Sequence, residues 1–298
     1  MNLDRDAFIA IAAAGLFAGG CSTLDKINPF KSEPKIKPAE LTSIQTTADV
    51  QVRWQSNIGE TDDFVLTPAV VGESVYVADS NNNRIQIFST SGSYRTSFGT
   101  TGTYSQTGSF TTLRRVAVAS NGDVWGADLW GWRLVRFART STGFSYAQTI
   151  GGTPPPLTST AAFNEPRAVA VGPTGNLNVM DTVNQRIVQM TPDGAIVDSC
   201  GERDSRPVSL NWPRGLAVDP ATGDRWIADT KQSRLQIFPA RCSDQKIRLG
   251  DKGSGTGQFY WPYAIGIRNS DRLAFVADTL NNRIVVWDVA SRTQIASY

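Results

Sequence analysis

None of the 298 residues is histidine. That removes Ser-His-Asp and Cys-His nucleophiles, imidazole general bases and His-based zinc sites. The groups left to do chemistry are carboxylates, guanidinium groups, indoles and three cysteines. Carboxylates recur beside arginine at a fixed distance: Asp79 and Arg84, Asp128 and Arg133, Asp181 and Arg186, Asp229 and Arg234, Asp278 and Arg283. Each Arg follows its Asp by five positions, and successive Asp residues are 49, 53, 48 and 49 apart. A ring of charges around a ligand is one reading of such a pattern. A group present in every repeat, however, serves the repeat, whereas a ligand site breaks it. The pairs are therefore expected to be structural, with each Asp capping a turn and each Arg bonded to it or to a neighbouring unit.

The breaks are more informative. Each repeat opens on an apolar strand, often through Pro, and the residue just inside that opening is Arg114, Arg167, Arg214 or Tyr263. Trp212 and Trp261 precede the opening Pro, and Glu165 is the acidic residue at that place in the third unit. Trp130 and Trp132 flank Gly131 in a turn that is Asn-rich in other repeats. Arg and Trp are the residue types enriched in binding hot spots. Strand connectivity sets all of these on one face, which is read as a basic, aromatic protein-binding surface.

The elements that must carry these residues are strands. After the leader no helical period appears, and apolar runs alternate with Gly, Asp and Asn turns about every ten residues. Each unit reads as four strands. Gly72–Ala78 carries a turn into a second strand, the Arg opens the third, and the fourth ends on an apolar residue and Gly, as in Phe98-Gly99 and Leu249-Gly250. Repeats in the forties with this pattern predict an all-β protein, a β-propeller of four-stranded antiparallel blades. Five full blades are expected. Val50–Gly59 is a spare outer strand that pairs beside or replaces Thr293–Tyr298, and the alternative is a truncated six-bladed ring.

The motifs Pro-Arg-Ala-Val-Ala-Val at 166–171, Val-Ala-Asp at 77–79 and Asn-Asn-Arg at 82–84 and 281–283 resemble the NHL-repeat family of β-propellers across residues 65–298. Some six-bladed relatives hydrolyse lactones with a divalent metal held by Glu, Asn and Asp. That resemblance implies a metal-dependent hydrolase as an alternative reading. Here only Glu165 offers an acidic group at the channel that departs from the repeat. Peptide-amidating lyase relatives use His ligands, which this chain lacks. No enzyme activity, metal or cofactor is expected.

Ala7–Gly20 is an uncharged run of 14 residues, long enough for a signal-peptide core and too short to span a bilayer. Leu16-Phe17-Ala18-Gly19-Gly20-Cys21 resembles a bacterial lipobox, which implies cleavage after residue 20 and acylation of Cys21. Ser22 at the next position implies, by the same resemblance, the outer membrane. Residues 21–48 read as an extended tether rich in Pro and Lys, and 49–298 as the propeller. Residues 16–79, with Asn28-Pro29-Phe30, Lys37–Leu41, Trp54 and Thr67–Val71, resemble the start of the outer-membrane β-barrel assembly lipoprotein B family. The net charge of +2 is too mild to argue for nucleic acid.

An oxidising compartment invites a disulfide between Cys200 and Cys242. The repeat places Cys200 at the end of a fourth strand and Cys242 in the next unit's opposite turn, so a buried, unbridged Cys200 is expected. Taken together, these readings predict a non-enzymatic lipoprotein that offers a protein-interaction scaffold at the periplasmic side of the outer membrane, in β-barrel assembly by resemblance. A glycan-binding or sensor propeller using Trp130 and Trp132 as a stacking platform is a further alternative.

Overall fold

A computed structural model describes residues 68–152, 162–201, 209–242 and 246–298. The leader, Cys21, the tether and Val50–Gly59 lie outside the described residues, as do residues 16–67 of the second resemblance. Five four-stranded antiparallel sheets follow one another as the blades of a β-propeller. Blade 1 comprises β1 (Pro68–Val71), β2 (Ser74–Asp79), β3 (Arg84–Ser89) and β4 (Tyr94–Phe98). Blade 2 comprises β5 (Leu113–Val118), β6 (Val124–Asp128), β7 (Arg133–Thr140) and β8 (Gly143–Gly151). Blade 3 comprises β9 (Pro166–Val171), β10 (Leu177–Asp181), β11 (Arg186–Met190) and β12 (Ile196–Cys200). Blade 4 comprises β13 (Gly215–Val218), β14 (Arg225–Asp229), β15 (Arg234–Phe238) and β16 (Ile247–Leu249). Blade 5 comprises β17 (Pro262–Arg268), β18 (Leu273–Asp278), β19 (Arg283–Asp288) and β20 (Thr293–Ser297). Blade 5 thus takes its fourth strand from Thr293–Ser297, which pairs with β19.

The second strands of blades 1 to 4 are buried on both faces, which is why they read as near-continuous apolar runs ending in Asp, whereas that of blade 5 alternates between buried and half-buried residues. The fourth strands are the outer edges and keep exposed residues such as Ile196 and Val197. Core clusters lie between consecutive blades. Ile85 and Ile87 meet Phe110 and Val116, Trp125 and Leu134 meet Phe163 and Val179, Ile187 meets Leu210 and Ile227, and Trp226 and Leu235 meet Phe259 and Val276. Among the described residues no such cluster joins blade 5 to blade 1. Ile284 shows the consequence: it is 41% exposed, whereas Ile85, Leu134, Ile187 and Leu235 at the same place in the other blades are fully buried.

The repeated Asp and Arg form an ion pair in every blade, at 2.8–3.2 Å. All five Asp side chains are fully buried. In blades 2 to 5 the Asp also accepts a backbone N–H from the segment entering its own blade: Thr112, Asn164, Asn211 and Tyr260 donate at 2.6–2.7 Å. The Arg takes that segment's carbonyls. Arg133 donates to the oxygens of Tyr104, Gln106, Thr103 and Ser109, and Arg283 to those of Ser254, Gly255 and Gln258. One ion pair thus satisfies both donors and acceptors of the connection arriving from the previous blade.

Cys200 is buried, as the repeat implies, but it is bridged to Cys242 with Cα atoms 5.4 Å apart. Sheet twist is the reason the sequence misleads here. Phe238, the last residue of β15, shares a buried cluster with Cys200, so the chain leaving β15 already runs beside the preceding blade. The backbone N–H of Cys242 then donates to Asp198 Oδ2 on β12 at 2.6 Å. Asp198, Cys200 and Cys242 lie close together, but the bridge removes both thiolates as metal ligands.

Two stability measurements test this account. Arg133 is almost fully buried while the Arg84 side chain is 39% exposed. Arg133→Ala is expected to cost about 3–5 kcal/mol in urea unfolding, and Arg84→Ala about 1 kcal/mol or less; equal losses would refute this role of the buried ion pair. Cys242→Ala is expected to lower stability by about 2–4 kcal/mol under non-reducing conditions, and reductant should bring the parent chain down by a similar amount. A reductant-insensitive midpoint would mean that the bridge is absent.

Candidate functional site

In blades 2, 3 and 5 the first residue of the opening strand and the Asp that ends the second strand are register partners: Leu113 with Asp128, Pro166 with Asp181 and Pro262 with Asp278; in blade 4 Gly215 pairs one residue short of the Asp, with Ala228. The opening of the first strand and the turn between second and third strands therefore share one end of every blade. Arg114, Arg167, Arg214 and Tyr263 stand there on the innermost strands or at their start, with Glu165, Trp212 and Trp261 just before them.

These residues are close enough to feel one another's charge. Arg114 is pushed down to about 10, first by desolvation and then by the guanidinium groups of Arg167 and Arg214, with Glu165 opposing. Arg214 is lowered mainly by desolvation, with Arg167 adding to the shift and Tyr263 opposing it. The Arg214 guanidinium lies 4.1 Å from the centre of the Tyr263 ring. Arg167 pairs with Glu165 at 2.6 Å and stands 5.8 Å from the Trp212 ring, whose centre is also 4.3 Å from Lys231 Nζ. Trp212 is thus a shared platform for two cations, Arg167 and the exposed Lys231. Arg114, Arg167 and Arg214 thus form the mutually repelling part of a cationic rim, with Glu165 as their counter-charge.

Two members were not singled out from the sequence. Arg115, next to Arg114, donates from Nη2 to the carbonyl of Ile265 at 2.9 Å, spanning from blade 2 to the innermost strand of blade 5. Desolvation in that position holds its guanidinium down at about 10. Lys231 lies in the second-to-third turn of blade 4, where other blades carry no cation, and that break in the repeat is the signal that marks it. The doublet Arg114-Arg115 was the available signal for the first; the chain alternation of strands, which sends neighbours to opposite faces, argued for only one of them facing the channel.

Glu165, Trp212 and Trp261 have φ of 53°, 49° and 53°. Left-handed backbone at a bulky residue costs on the order of 1–3 kcal/mol and persists where surrounding contacts over-determine it. Here it precedes a Pro in each case and sets the side chain beside the channel mouth. Trp261 donates its backbone N–H to Ser233 Oγ at 3.4 Å, tying blade 5 to blade 4.

Trp130 and Trp132 lie at the same end, in the turn between β6 and β7. Trp130 is 48% exposed. Trp132 packs edge-on to Tyr104 with ring centres 5.9 Å apart. Gly131 replaces the amide that Asn82, Asn184 and Asn281 each donate to their Asp. A Cβ there would sit 2.1 Å from Asp128 Oδ2, so the turn holds tight against the ion pair. No contact among the described residues joins these indoles to the arginines.

Like charges at the rim repel, and salt screens that repulsion. The melting temperature is expected to rise between low salt and about 0.3 M NaCl, and Arg114→Gln should flatten that rise by removing one of three charges. An identical salt slope in the variant would show that the arginines do not interact.

No protein-family model matches the chain. Residues of the chain are 34% identical over 110 positions to peptidyl-glycine alpha-amidating monooxygenase A of Xenopus laevis, covering 35% of this chain and 12% of that protein. They are 33% identical over 79 positions to NHL repeat-containing protein 3 of Mus musculus, covering 26% of this chain and 22% of that protein. The chain therefore aligns with less than a quarter of the length of these relatives. Among solved structures, a streptogramin B lyase superposes with a TM-score of 0.56 at 16% identity, over 80% of this chain and 70% of the lyase. At that identity the likeness is one of fold. The chain is a five-bladed β-propeller whose blades are similar in sequence to NHL repeats.

Proposed function

We propose that this protein is a non-enzymatic, lipid-anchored propeller that binds a protein partner through its cationic, aromatic rim at the periplasmic side of the outer membrane. The single observation that carries the reading is the convergence of Arg114, Arg167 and Arg214 on one rim with Glu165 as the counter-charge. Such a rim favours an acidic segment of the partner, because guanidinium groups recognise carboxylates bidentately and lose less hydration than ammonium groups on doing so. The exposed Trp130 adds an aromatic anchor of the kind found at hot spots.

Anchoring rests on the sequence: the uncharged run Ala7–Gly20, the small residues before Cys21, and the Pro- and Lys-rich tether to residue 48. Acylation at Cys21 with more than one chain supplies stable membrane attachment. Ser22 favours the outer membrane, and the resemblance of residues 16–79 to the assembly lipoproteins favours a role in β-barrel protein assembly. The non-enzymatic reading rests on the histidine-free composition and on Glu165, the carboxylate beside the three arginines among the described residues, being already committed to Arg167.

Expression of the full chain in a bacterial host with labelled palmitate tests the anchor. Label and membrane fractionation are expected, and both should be lost in Cys21→Ala; a labelled variant would place the acyl group elsewhere. For the rim, Trp130→Ala combined with Arg167→Glu should abolish co-purification of the membrane partner while leaving the melting temperature within a few degrees. Retained co-purification would remove this face from the proposal.

A further inference from the structure

Three of the four interfaces between consecutive blades use the same pair at the end opposite the cationic rim. The residue three before each repeated Asp is Tyr76, Trp125, Asn178, Trp226 or Phe275, and the residue four before is Val75, Val124, Leu177, Arg225 or Ala274. Tyr76 shares a core with Val124 of the next blade, Trp125 with Leu177, and Trp226 with Ala274. Between blades 3 and 4 the corresponding pair is Asn178 and Arg225. Both sites break the repeat, and both side chains are buried, to 1% and 0% exposure.

The missing ring leaves room. A cavity of about 630 Å³ opens between the two blades, with Asn178, Gln189, Asp198, Val218, Thr222 and Cys242 among its walls. That volume is in the range of small-molecule sites. Asn178 Oδ1 accepts from Gln189 Nε2 at 3.4 Å, while Asn178 Nδ2 has no hydrogen-bond partner among the described residues. Behind the wall, Arg225 Nη2 donates to the carbonyl of Pro239 and stands 3.8 Å from Asp198 Oδ2, and its Nε and Nη1 also have no partner there. Buried polar atoms without partners are uncommon in native proteins and costly. The rim is fixed: the Cys200–Cys242 bridge pins the chain after β15 to β12, and Cys242 N–H holds Asp198 in place.

We infer that this inter-blade cavity is a binding site for a neutral, hydroxyl-rich ligand of mono- or disaccharide size. The unpartnered amide hydrogen of Asn178 needs an acceptor, and the Asp198 carboxylate needs donors for its remaining lone pairs. A hydroxyl supplies both, and still does so if the Asn178 amide is turned over. Asp198 and Arg241 stand on the same wall, so the cavity offers no net charge that favours an anion over a neutral ligand. Pro173, Val197 and Val218 give the apolar surface on which the C–H faces of a sugar ring rest. The site is independent of the cationic rim and lies at the other end of the blades.

The test is ligand-observed NMR and calorimetry on the full chain, with maltose as the neutral probe and acetate as the anionic one. Maltose is expected to bind saturably, and Asn178→Trp, which restores the ring of Trp125 and Trp226, should weaken it at least about tenfold. If that variant does not fold, Asn178→Ala serves, since it removes the amide without adding bulk. Absence of saturable maltose binding, saturation by acetate alone, or maltose binding that survives both substitutions would each overturn the inference.

Discussion

A buried ion pair between residues five apart holds this propeller together, and its value lies in what surrounds it. A buried Asp–Arg pair gains little by attraction alone, because both charges lose water. In blades 2 to 5 that loss is offset by the arriving chain. The carboxylate takes backbone N–H groups at the start of the blade, and the guanidinium takes carbonyls of the same connection. Each connection is an irregular segment covering the end of a sheet, where unpaired backbone groups would otherwise be stranded. The pair is therefore a clasp that converts an irregular loop into part of a packed body. Blade 1 marks the contrast: its Arg84 is the most exposed of the five, and its incoming chain lies before residue 68.

Once the clasp fixes the sheet ends, blade-to-blade packing decides what each interface can hold. Aromatic residues on the second strands fill the gap between blades, and aliphatic ones meet them from the next blade. The clasp leaves this region free to vary because it acts at the other end. Substitution of the aromatic–aliphatic pair by Asn178 and Arg225 can therefore open a cavity without unlocking the blade. The disulfide at the same interface replaces part of the lost packing with a covalent constraint. Ile284 marks the contrast: no cluster among the described residues packs a following blade on it and it is 41% exposed, whereas Ile85 and Ile187 at the same register are fully buried.

The fold was legible because its signals are periodic. Strand alternation and the fixed Asp-to-Arg spacing repeat in all five blades and the apolar-Gly strand end in four, so chance errors at one blade are corrected by the others. The rim was legible in outline for a related reason: Arg114, Arg167, Arg214 and Tyr263 occupy one column of the repeat. Arg115 was hidden because alternation assigns it to the other side, whereas the register between Leu113 and Arg115 shifts by a bulge. The disulfide was hidden because pairing logic treats strand ends as flat, and twist brings opposite ends of adjacent blades together. Asn178 and Arg225 were in plain view as polar residues in an apolar column, but their meaning needs two columns read across consecutive blades.

The two ends of the blades are consequently under different physical control. At the rim, the clasps crowd backbone, charge and indoles into a rigid edge, and repulsion among the arginines is held in check by Glu165, Tyr263 and Trp212. A ligand that brings negative charge relieves that repulsion, so this end gains from association with something acidic. At the opposite end there is no such charge excess, and selectivity must come from shape and from hydrogen-bonding groups left without partners. A sequence change at one end leaves the other intact because four-stranded sheets separate them and each sheet is locked independently. That separation lets a single stiff body carry an electrostatic surface and a polar cavity without either dictating the residues of the other.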